Sequence, residues 1–555
     1  MIVFGSRGSD LALTQSRAVA EEVKRRTGED YRIDVMQTAG DRIQDKPLSG
    51  IGIKGLFTSE LEDALRSGAI DAAVHSLKDL PVEDPDGLTL GAIPPRERAA
   101  DVLVARPDAA GQDFPSQGFT GQDFPRQGFT GQGDDLLRLL APGTRIGTSS
   151  PRRALAAATL RRDLEIADIR GNVPTRVDKA RRGDYGAVVL AAAGLRRLGL
   201  DLRDLRTQEL PVEHFTPAPG QGALGVQCRR DDARVQAALR SVHCETTASC
   251  ANQERAVLLG LGGGCSMPLG VLITPVGDRF RLLASLFAGN GPCALQTAAI
   301  GGDPAALAQA VVDAWHPLVG EPLQGLRAAI VRPDGERTGL AAALAIAGAQ
   351  TDVLAWTRTE PIVATEDELQ AAVAGDALAF TSARAVREFT QRCAEQEVTP
   401  FDARAFAVGA STASELVRSG FHDVTTADGR GGAALAAVLQ QAGVAADAKL
   451  TFPCAEARHD GFEAAARAAG FAPTPLPLYR LVEQPDGQLT HDVDAFVFTS
   501  PSAVRAFCSR RHDAAIGRAV AIGRTTAEAL REHHDGPTRV LDVPTPAALV
   551  DALRT

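Results

Sequence analysis

Long apolar runs are missing from this chain: none of its 555 residues falls in a stretch approaching the roughly 18 apolar residues that a membrane-spanning helix needs. The opening MIVFGSRGSD shows no basic segment followed by an apolar core, so no secretory leader is read there and a cytoplasmic protein is expected. Closely spaced cysteines are missing too. The eight cysteines are scattered without a CxxC pair, which argues against a zinc module and fits a reduced compartment better than a disulfide scaffold. No metal is expected. Aromatic residues are only 5% of the chain and the net charge is -10, a poor basis for stacking on bases or neutralising phosphates. Nucleic-acid and membrane partners are therefore not expected, and the working expectation for oligomeric state is a monomer.

Hydrophobic residues at 44% and charged residues at 23% are ordinary globular values, and they disfavour disorder, collagen and coiled coil. At about 150 residues per domain the length divides into roughly three to five units. The overall acidity hides an asymmetry. Between Arg145 and Arg206 stand 13 Arg and one Lys against seven acids, a local balance of +7 that leaves -17 on the remainder. Clustered guanidinium forks suit bidentate recognition of carboxylate or phosphate, and an anionic ligand is expected.

The first hundred residues or so alternate short apolar runs with amphipathic stretches: IVFGS, Leu11 to Arg26, YRIDVMQTA, Leu56 to Arg66, IDAAVH. This is the grammar of a βαβαβ sheet. Ser9 or Asp10 can cap the first helix and Gly28 can end it, while Gly68 stops the second. GQDFPSQGFT and GQDFPRQGFT then repeat at 111–130, differing at Ser116 and Arg126, and read as an exposed insertion without a function of its own. A second series follows with TRIGTS, a helix from about Arg152 to Leu160, EIADIR, a helix near Thr175 to Arg182, and GAVVLAAAG. Residues 223–325 form a smaller α/β pattern, with a helix around Thr247 to Leu259, the strands GVLITPV and FRLLASLFA, and a helix from Pro304 to Trp315. A new α/β series opens at Leu326. Pro317 to Gln324, with two Pro and a Gly, reads as the linker.

Four features sit where open α/β sheets place ligand-facing loops. After the first strand comes Ser6-Arg7-Gly8-Ser9, whose guanidinium and helix-start N–H groups can hold a carboxylate. In VHSLKDLP, Asp79 is either a general acid that also steadies a developing cation or simply a helix cap beside a solvated Lys78. GTSSPRR, RGNVPTR and Arg196-Arg197 bring guanidiniums to strand ends, whereas Arg161, Arg162, Arg181 and Arg182 fit ordinary solvated helix faces. In LGGGCSMPLG three glycines let a bulky group approach Cys265, a nucleophile if ionised and otherwise a small buried residue.

Together SRGSDLALTQ, GIKGLF, VHSLKDLPVE, GTSSPRR, RGNVPTR, AAAGLRRLGL, PGQGALGVQCR and LGGGCSMPLG resemble hydroxymethylbilane synthase, also called porphobilinogen deaminase, over nearly all of residues 1–320. The resemblance implies a dipyrromethane cofactor held by a thioether to Cys265. On that primer four porphobilinogen units are added head to tail with loss of ammonia, and water then releases the linear tetrapyrrole. It implies Asp79 as the catalytic carboxyl. It also implies that Arg7, Ser9, Lys78, Thr148, Ser149, Ser150, Arg152, Arg153, Arg170 and Gly171 hold the cofactor. Substrate contacts fall to Gln15, Ser76, Arg176 and Arg197, and Lys54 and Phe57 belong to a lid. Asp10 and Pro151 depart from the Pro and Leu often found in the family, and the decapeptide repeat is foreign to it.

In the last third, FTSARAV (380–386) is echoed by FTSPSAV (498–504), and AVGASTA (407–413) by AIGRTTA (521–527). The region reads as duplicated, with strand-end hydroxyls that either cap helices or bind carboxylates. With LTFPCAEARHDGF, PLPLYRLVEQP and VPTPAALVDAL the pattern resembles uroporphyrinogen-III synthase over about 326–555. That resemblance implies cyclisation of the linear tetrapyrrole with inversion of its last ring. Tyr479 would act on the departing hydroxyl, and Thr381, Ser382, Thr412, Ser500, Thr525, Thr526 and Thr545 would line the cleft.

The fold expected is multidomain α/β. The N-terminal half comprises two domains resembling periplasmic-binding-protein lobes plus a small α/β domain, and the C-terminal half two α/β domains with parallel sheets. The limits expected are 1–98 with about 221–240, then 99–220 with the insertion at 107–135, then 241–316, a linker at 317–325, then 326–358 with 481–555, and 359–480. The function expected is bifunctional, converting porphobilinogen to hydroxymethylbilane and on to uroporphyrinogen III. Two rivals stand beside it: an active deaminase with a docking or inactive synthase-like module, and a non-catalytic anion-binding module.

Overall fold

Alternating apolar strands and amphipathic helices build the first sheet. In the computed structural model Ile2–Arg7 forms β1, and the helix Asp10–Thr27 lies against it. The Ser9 hydroxyl accepts the Ala12 N–H at 3.4 Å, and Gly28 ends the helix at φ 75°, a conformation strained for any residue with a Cβ. Lys24, Arg25 and Arg26 occupy the last turn, where they complement the helix dipole. Val19, Ala20 and Val23 form the stripe that packs with Ile2 and Phe4 of β1. Full burial of a side chain such as Phe4 stabilises the fold by roughly 1.5–3 kcal/mol.

The strands that follow are Tyr31–Met36 (β2), Ala72–Ser76 (β3), Leu88–Ala92 (β4), Asp101–Ala105 (β5), Arg145–Gly147 (β6), Glu165–Ala167 (β7), Ala187–Ala191 (β8), Arg206–Glu209 (β9) and Leu224–Arg229 (β10). They make two five-stranded sheets, ordered β2-β1-β3-β10-β4 and β7-β6-β8-β5-β9. The chain crosses from the first sheet to the second through residues 93–100 and returns through 210–223 into β10, which lies antiparallel between β3 and β4. In the second sheet β6 runs parallel to β7 and β8, and β5 is antiparallel to both β8 and β9. GAVVLAAAG is not one strand: β8 stops at Ala191 and a helix runs Ala192–Leu198, as the helix propensity of alanine favours.

The helix Glu245–Gly260 precedes the adjacent strands Leu269–Val276 (β11) and Arg279–Phe287 (β12). After Ala294–Gly301 (β13) and the helix Pro304–Trp315, residues 317–325 are turn-rich, with Leu318 and Leu323 buried. Next come Arg327–Val331 (β14), Gln350–Leu354 (β15), Thr357–Pro361 (β16), Ala377–Phe380 (β17), Ala405–Ala407 (β18), Val424–Thr426 (β19), Leu450–Ala455 (β20), Thr474–Glu483 (β21), Ala495–Phe498 (β22), Arg518–Ala521 (β23) and Thr538–Val540 (β24). One sheet, β15-β14-β22-β23-β24, is wholly parallel. The other, β16-β21-β20-β17-β18-β19, is parallel except for β16, which lies antiparallel to β21. The two echoed sequence pairs occupy equivalent places, because FTSARAV and FTSPSAV each join a strand to a helix, and so do AVGASTA and AIGRTTA.

The structure describes residues 1–36, 58–109, 136–264, 266–289, 293–332, 339–427, 431–458, 461–483, 489, 492–510, 516–541, 543 and 545–554. The decapeptide repeat, Lys54, Phe57 and Cys265 lie outside them. Two compact units result. The first holds the described residues from Met1 to Ala284 with Asp303–Gln309, and the second holds those of Ser285–Gly302 and from Ala310 onward. No described helix is long and apolar enough to cross a membrane, and no described cluster of His, Cys, Asp and Glu could hold a metal.

Candidate active site

Because β1 and β3 are parallel, with Phe4 level with Ala72, their C-terminal ends open on one sheet edge. That edge carries Arg7 and Ser9 on one side and Ser76 and Asp79 on the other, and all four line a single cleft with Gln15 and His75. Gln15 Nε2 donates to Ser76 Oγ at 3.4 Å. Asp79 ends a short 3-10 turn, Leu77–Asp79, and is exposed. His75 is 7% exposed and its Nε2 has no hydrogen-bond partner among the described residues. Burial, and after it the charge of Arg7, push its pKa down to about 4, so the ring is neutral at pH 7. No sequence pattern marks His75 beyond its place inside VHSLKDLP.

A second group of cations is organised around one carboxylate. Asp101, at the start of β5, is 0% exposed; Arg152 Nη1 meets its Oδ2 at 2.8 Å and Arg153 Nη2 its Oδ1 at 2.7 Å. Burial alone raises the pKa of this carboxyl, but the two guanidiniums outweigh that and hold it well below the usual range. Arg152 also donates to Thr216 O at 2.9 Å, and Arg153 to Val189 O at 3.1 Å. The immediate partner of both arginines, expected to grip the ligand directly, is thus Asp101. Gln221 donates to the same carboxylate at 2.9 Å and accepts from Lys78 Nζ at 3.2 Å. Burial, Arg153 and Arg152 lower the Lys78 pKa to about 8 against the opposing pull of Asp79 and Asp101.

The remaining residues of the second sheet sort by their bonds. Ser150 caps the helix Pro151–Leu160, accepting Arg153 N–H, and Thr148 Oγ1 accepts the Ser150 N–H at 3.2 Å. The Ser149 hydroxyl donates to Ile169 O and accepts Ile169 N–H, tying β6 to the loop after β7. In that loop Arg170 pairs with Asp168 at 3.3 Å, and Gly171, at φ 109°, offers its carbonyl to Arg176 Nε at 2.8 Å. A Cβ at Gly171 would sit 2.6 Å from Thr175 Cγ2. Burial first, then Arg153 and Arg170, lower the Arg176 pKa, while Arg197 bonds Gly222 O at 2.7 Å and burial brings its pKa to about 10. Guanidiniums destabilised by burial and by one another make a site that bound carboxylates relieve.

Beside this site the helix Glu245–Gly260 leads into Gly262, Gly263 and Gly264. Glu254, 0% exposed, fastens that helix: its carboxylate takes Arg96 Nη1 at 2.6 Å and Nη2 at 3.0 Å, and the N–H groups of Gly220 and Ile273 at 2.8 Å each. A Cβ at Gly264 would meet nothing within 4 Å among the described residues.

Residues 2–237 match the family model described as porphobilinogen deaminase, dipyromethane cofactor binding domain. The chain is 40% identical over 316 residues to the porphobilinogen deaminase of Macrococcus caseolyticus, covering 57% of this chain and 94% of that relative. It belongs to the porphobilinogen deaminase family. The deaminase of Staphylococcus carnosus is likewise 40% identical, over 56% of this chain and 93% of its own. The donor set fits the cofactor of the family: cations at several strand ends suit the acetate and propionate arms of a dipyrromethane, and the Asp79 carboxylate suits its pyrrole N–H groups.

Residues 321–551 match the model described as Uroporphyrinogen-III synthase HemD. A mutant uroporphyrinogen III synthase from the extremely thermophilic bacterium Thermus thermophilus is a structural neighbour at 21% identity and TM-score 0.29, covering 41% of this chain and 98% of that one. Both domains are present in one chain, which supports a bifunctional enzyme of haem biosynthesis. In this second region Tyr479, on β21, is 8% exposed and its ring lies 5.9 Å from the Arg384 guanidinium carbon. Burial raises its pKa, and a hydrogen bond from the Ser382 side chain opposes the rise. Ser382 also caps its helix, accepting Ala385 N–H at 3.1 Å; Thr381 precedes it, and Thr412 is buried in the helix Ala410–Ser419. Ser500, Thr525, Thr526 and Thr545 belong to the other sheet, where Ser500 and Thr545 cap helices, accepting N–H at 3.1 and 3.2 Å, and Thr526 is buried. Of these residues the structure brings Ser382 beside Tyr479, where its side chain opposes the rise that burial causes.

Proposed function

We propose that residues 1–316 polymerise four porphobilinogen molecules to hydroxymethylbilane with release of ammonia, and that residues 326–555 close that product to uroporphyrinogen III. The observation that carries the first step is the meeting of Asp79 with Arg7, Ser9, Gln15 and Ser76 in one cleft. As an acid Asp79 delivers a proton to the departing amine, which leaves as ammonia with its bonding electron pair. As a carboxylate it then faces the positive charge left on the pyrrole nitrogen. Arg7, Lys78, Arg170, Arg176 and Arg197 hold the acidic arms, while Arg152 and Arg153, braced by Asp101, set the field behind them. The covalent dipyrromethane supplies the nucleophilic pyrrole carbon from which the chain grows. Cys265, in its glycine loop, anchors it.

In the second region Tyr479, with Ser382 beside it, hydrogen-bonds the hydroxyl that leaves the linear tetrapyrrole, and the threonine and serine positions of the region bind its arms. The domain limits expected from the sequence serve as the working division, with 1–98 and about 221–240 around the first sheet and 359–480 around the sheet that holds Tyr479. We place the enzyme in the cytoplasm as a monomer; seven described cysteines are free thiols, in keeping with a reducing compartment.

Intact-mass spectrometry of the purified chain tests the covalent anchor. The expected mass exceeds that of the polypeptide by one dipyrromethane, and Cys265→Ser removes the excess. An unmodified wild-type chain, or an adduct that survives in the variant, overturns the assignment.

A further inference from the structure

Gln221 lies on the segment that returns from β9 to β10 and is 1% exposed. Its amide uses every bonding position it has. Nε2 donates to Ala99 O at 2.6 Å and to Asp101 Oδ1 at 2.9 Å, and Oε1 accepts from Lys78 Nζ at 3.2 Å and Arg153 Nη2 at 3.4 Å. The orientation follows from the partners, since a flipped amide would set its NH2 against two cations and its oxygen against two acceptors. The backbone pins the residue as well. Gly220 and Gly222 flank it at φ 73° and 88°, and a Cβ on Gly222 would sit 2.3 Å from Glu97 O.

Lys78 comes from the turn after β3 in the first sheet, whereas Asp101 and Arg153 belong to β5 and the helix Pro151–Leu160 of the second. Gln221 is the neutral group between them. We propose that Gln221 is a positioning residue that keeps the Lys78 ammonium protonated beside Asp79 and in fixed register with the Arg153 guanidinium, so that cations from both sheets meet one carboxylate-bearing pyrrole. This deepens the deaminase reading and rests on it. The charged groups facing Lys78 are Asp79 on its own turn, Asp101 on β5, and Arg152 and Arg153 on the helix. Burial and the two guanidiniums favour loss of the Lys78 proton and the two carboxylates oppose it, so an acceptor aimed at Nζ tips the balance towards the charged form.

The full-length chain labelled with 13Cε-lysine carries only six lysines, so the Lys78 resonance is assigned by its loss in Lys78→Arg. Lys78 is expected to titrate near pH 8, the Gln221→Met variant lower, and Gln221→Glu higher by about a unit or more. In steady-state assays Gln221→Met is expected to raise KM for porphobilinogen about tenfold while changing kcat far less, the size of one hydrogen bond to a charged group. A Lys78 midpoint that stays put in Gln221→Glu overturns the proposal, as does a kcat loss with KM unchanged in Gln221→Met. Should Gln221→Met fail to fold, Gln221→Glu alone decides through the titration. Failure of the wild type to consume porphobilinogen would instead strike the deaminase reading, since the titration needs no turnover.

Discussion

His75 shows how a single side chain under the cleft ties acidity to stability. Its folded pKa of about 4 lies below the 6.5 of an unhindered histidine, so between those values the unfolded chain binds the extra proton. Stability therefore falls as pH drops from about 6.5 to 4, by about 2–4 kcal/mol, and changes no further from this source below 4. His75→Gln is expected to flatten that acid-side fall when urea unfolding is followed from pH 7 to 4; an unchanged pH slope would contradict it. Asp101 acts in a different window. Its depressed carboxyl contributes stability above the usual carboxylate range and loses it only as pH falls towards the folded value. Residue identities at the cleft were legible because Arg7 and Ser76 end their strands and Ser9 and Asp79 follow within three residues. The Asp101 partnership was not, since 51 residues separate it from Arg152 and no local pattern marks a lone acid opening an apolar strand.

Among the elements, the helix Glu245–Gly260 bears most directly on the site because it carries the glycine loop. Four bonds to the buried Glu254 carboxylate fix it to Arg96, to the returning segment at Gly220 and to β11 at Ile273. Glu254→Ala leaves the Arg96 guanidinium without its carboxylate and two backbone donors without an acceptor, and is expected to cost about 3–5 kcal/mol. A urea midpoint equal to wild type would contradict that role. Helices and strands of the first sheet were readable from period and caps, with Ser9 and Gly28 bounding the first helix as their chemistry requires. The expected first domain already took in residues 221–240, but the antiparallel place of β10 between β3 and β4 was not readable, because pairing across more than a hundred residues leaves no mark on local pattern. The antiparallel pairing of β16 with β21 leaves no local mark for the same reason, and the Ala-rich run after β8 is compatible with strand or helix from sequence alone.

For the whole molecule, the pairing of two family domains in one chain has a chemical rationale. A released linear tetrapyrrole can close on itself without inverting its last ring, so we propose that a tethered second site favours capture of the product, an advantage absent if the two halves mixed as separate chains give as much isomer III. The rivals differ from this account in what leaves the protein. An N-terminal anion-binding module consumes nothing, and a deaminase with an inactive C-terminal module releases a product that closes spontaneously. Incubation of the full chain with porphobilinogen, followed by chromatographic separation of the uroporphyrin isomers after oxidation, examines both halves together. The account predicts consumption of porphobilinogen with isomer III as the dominant product; no consumption, or isomer I alone, would contradict it.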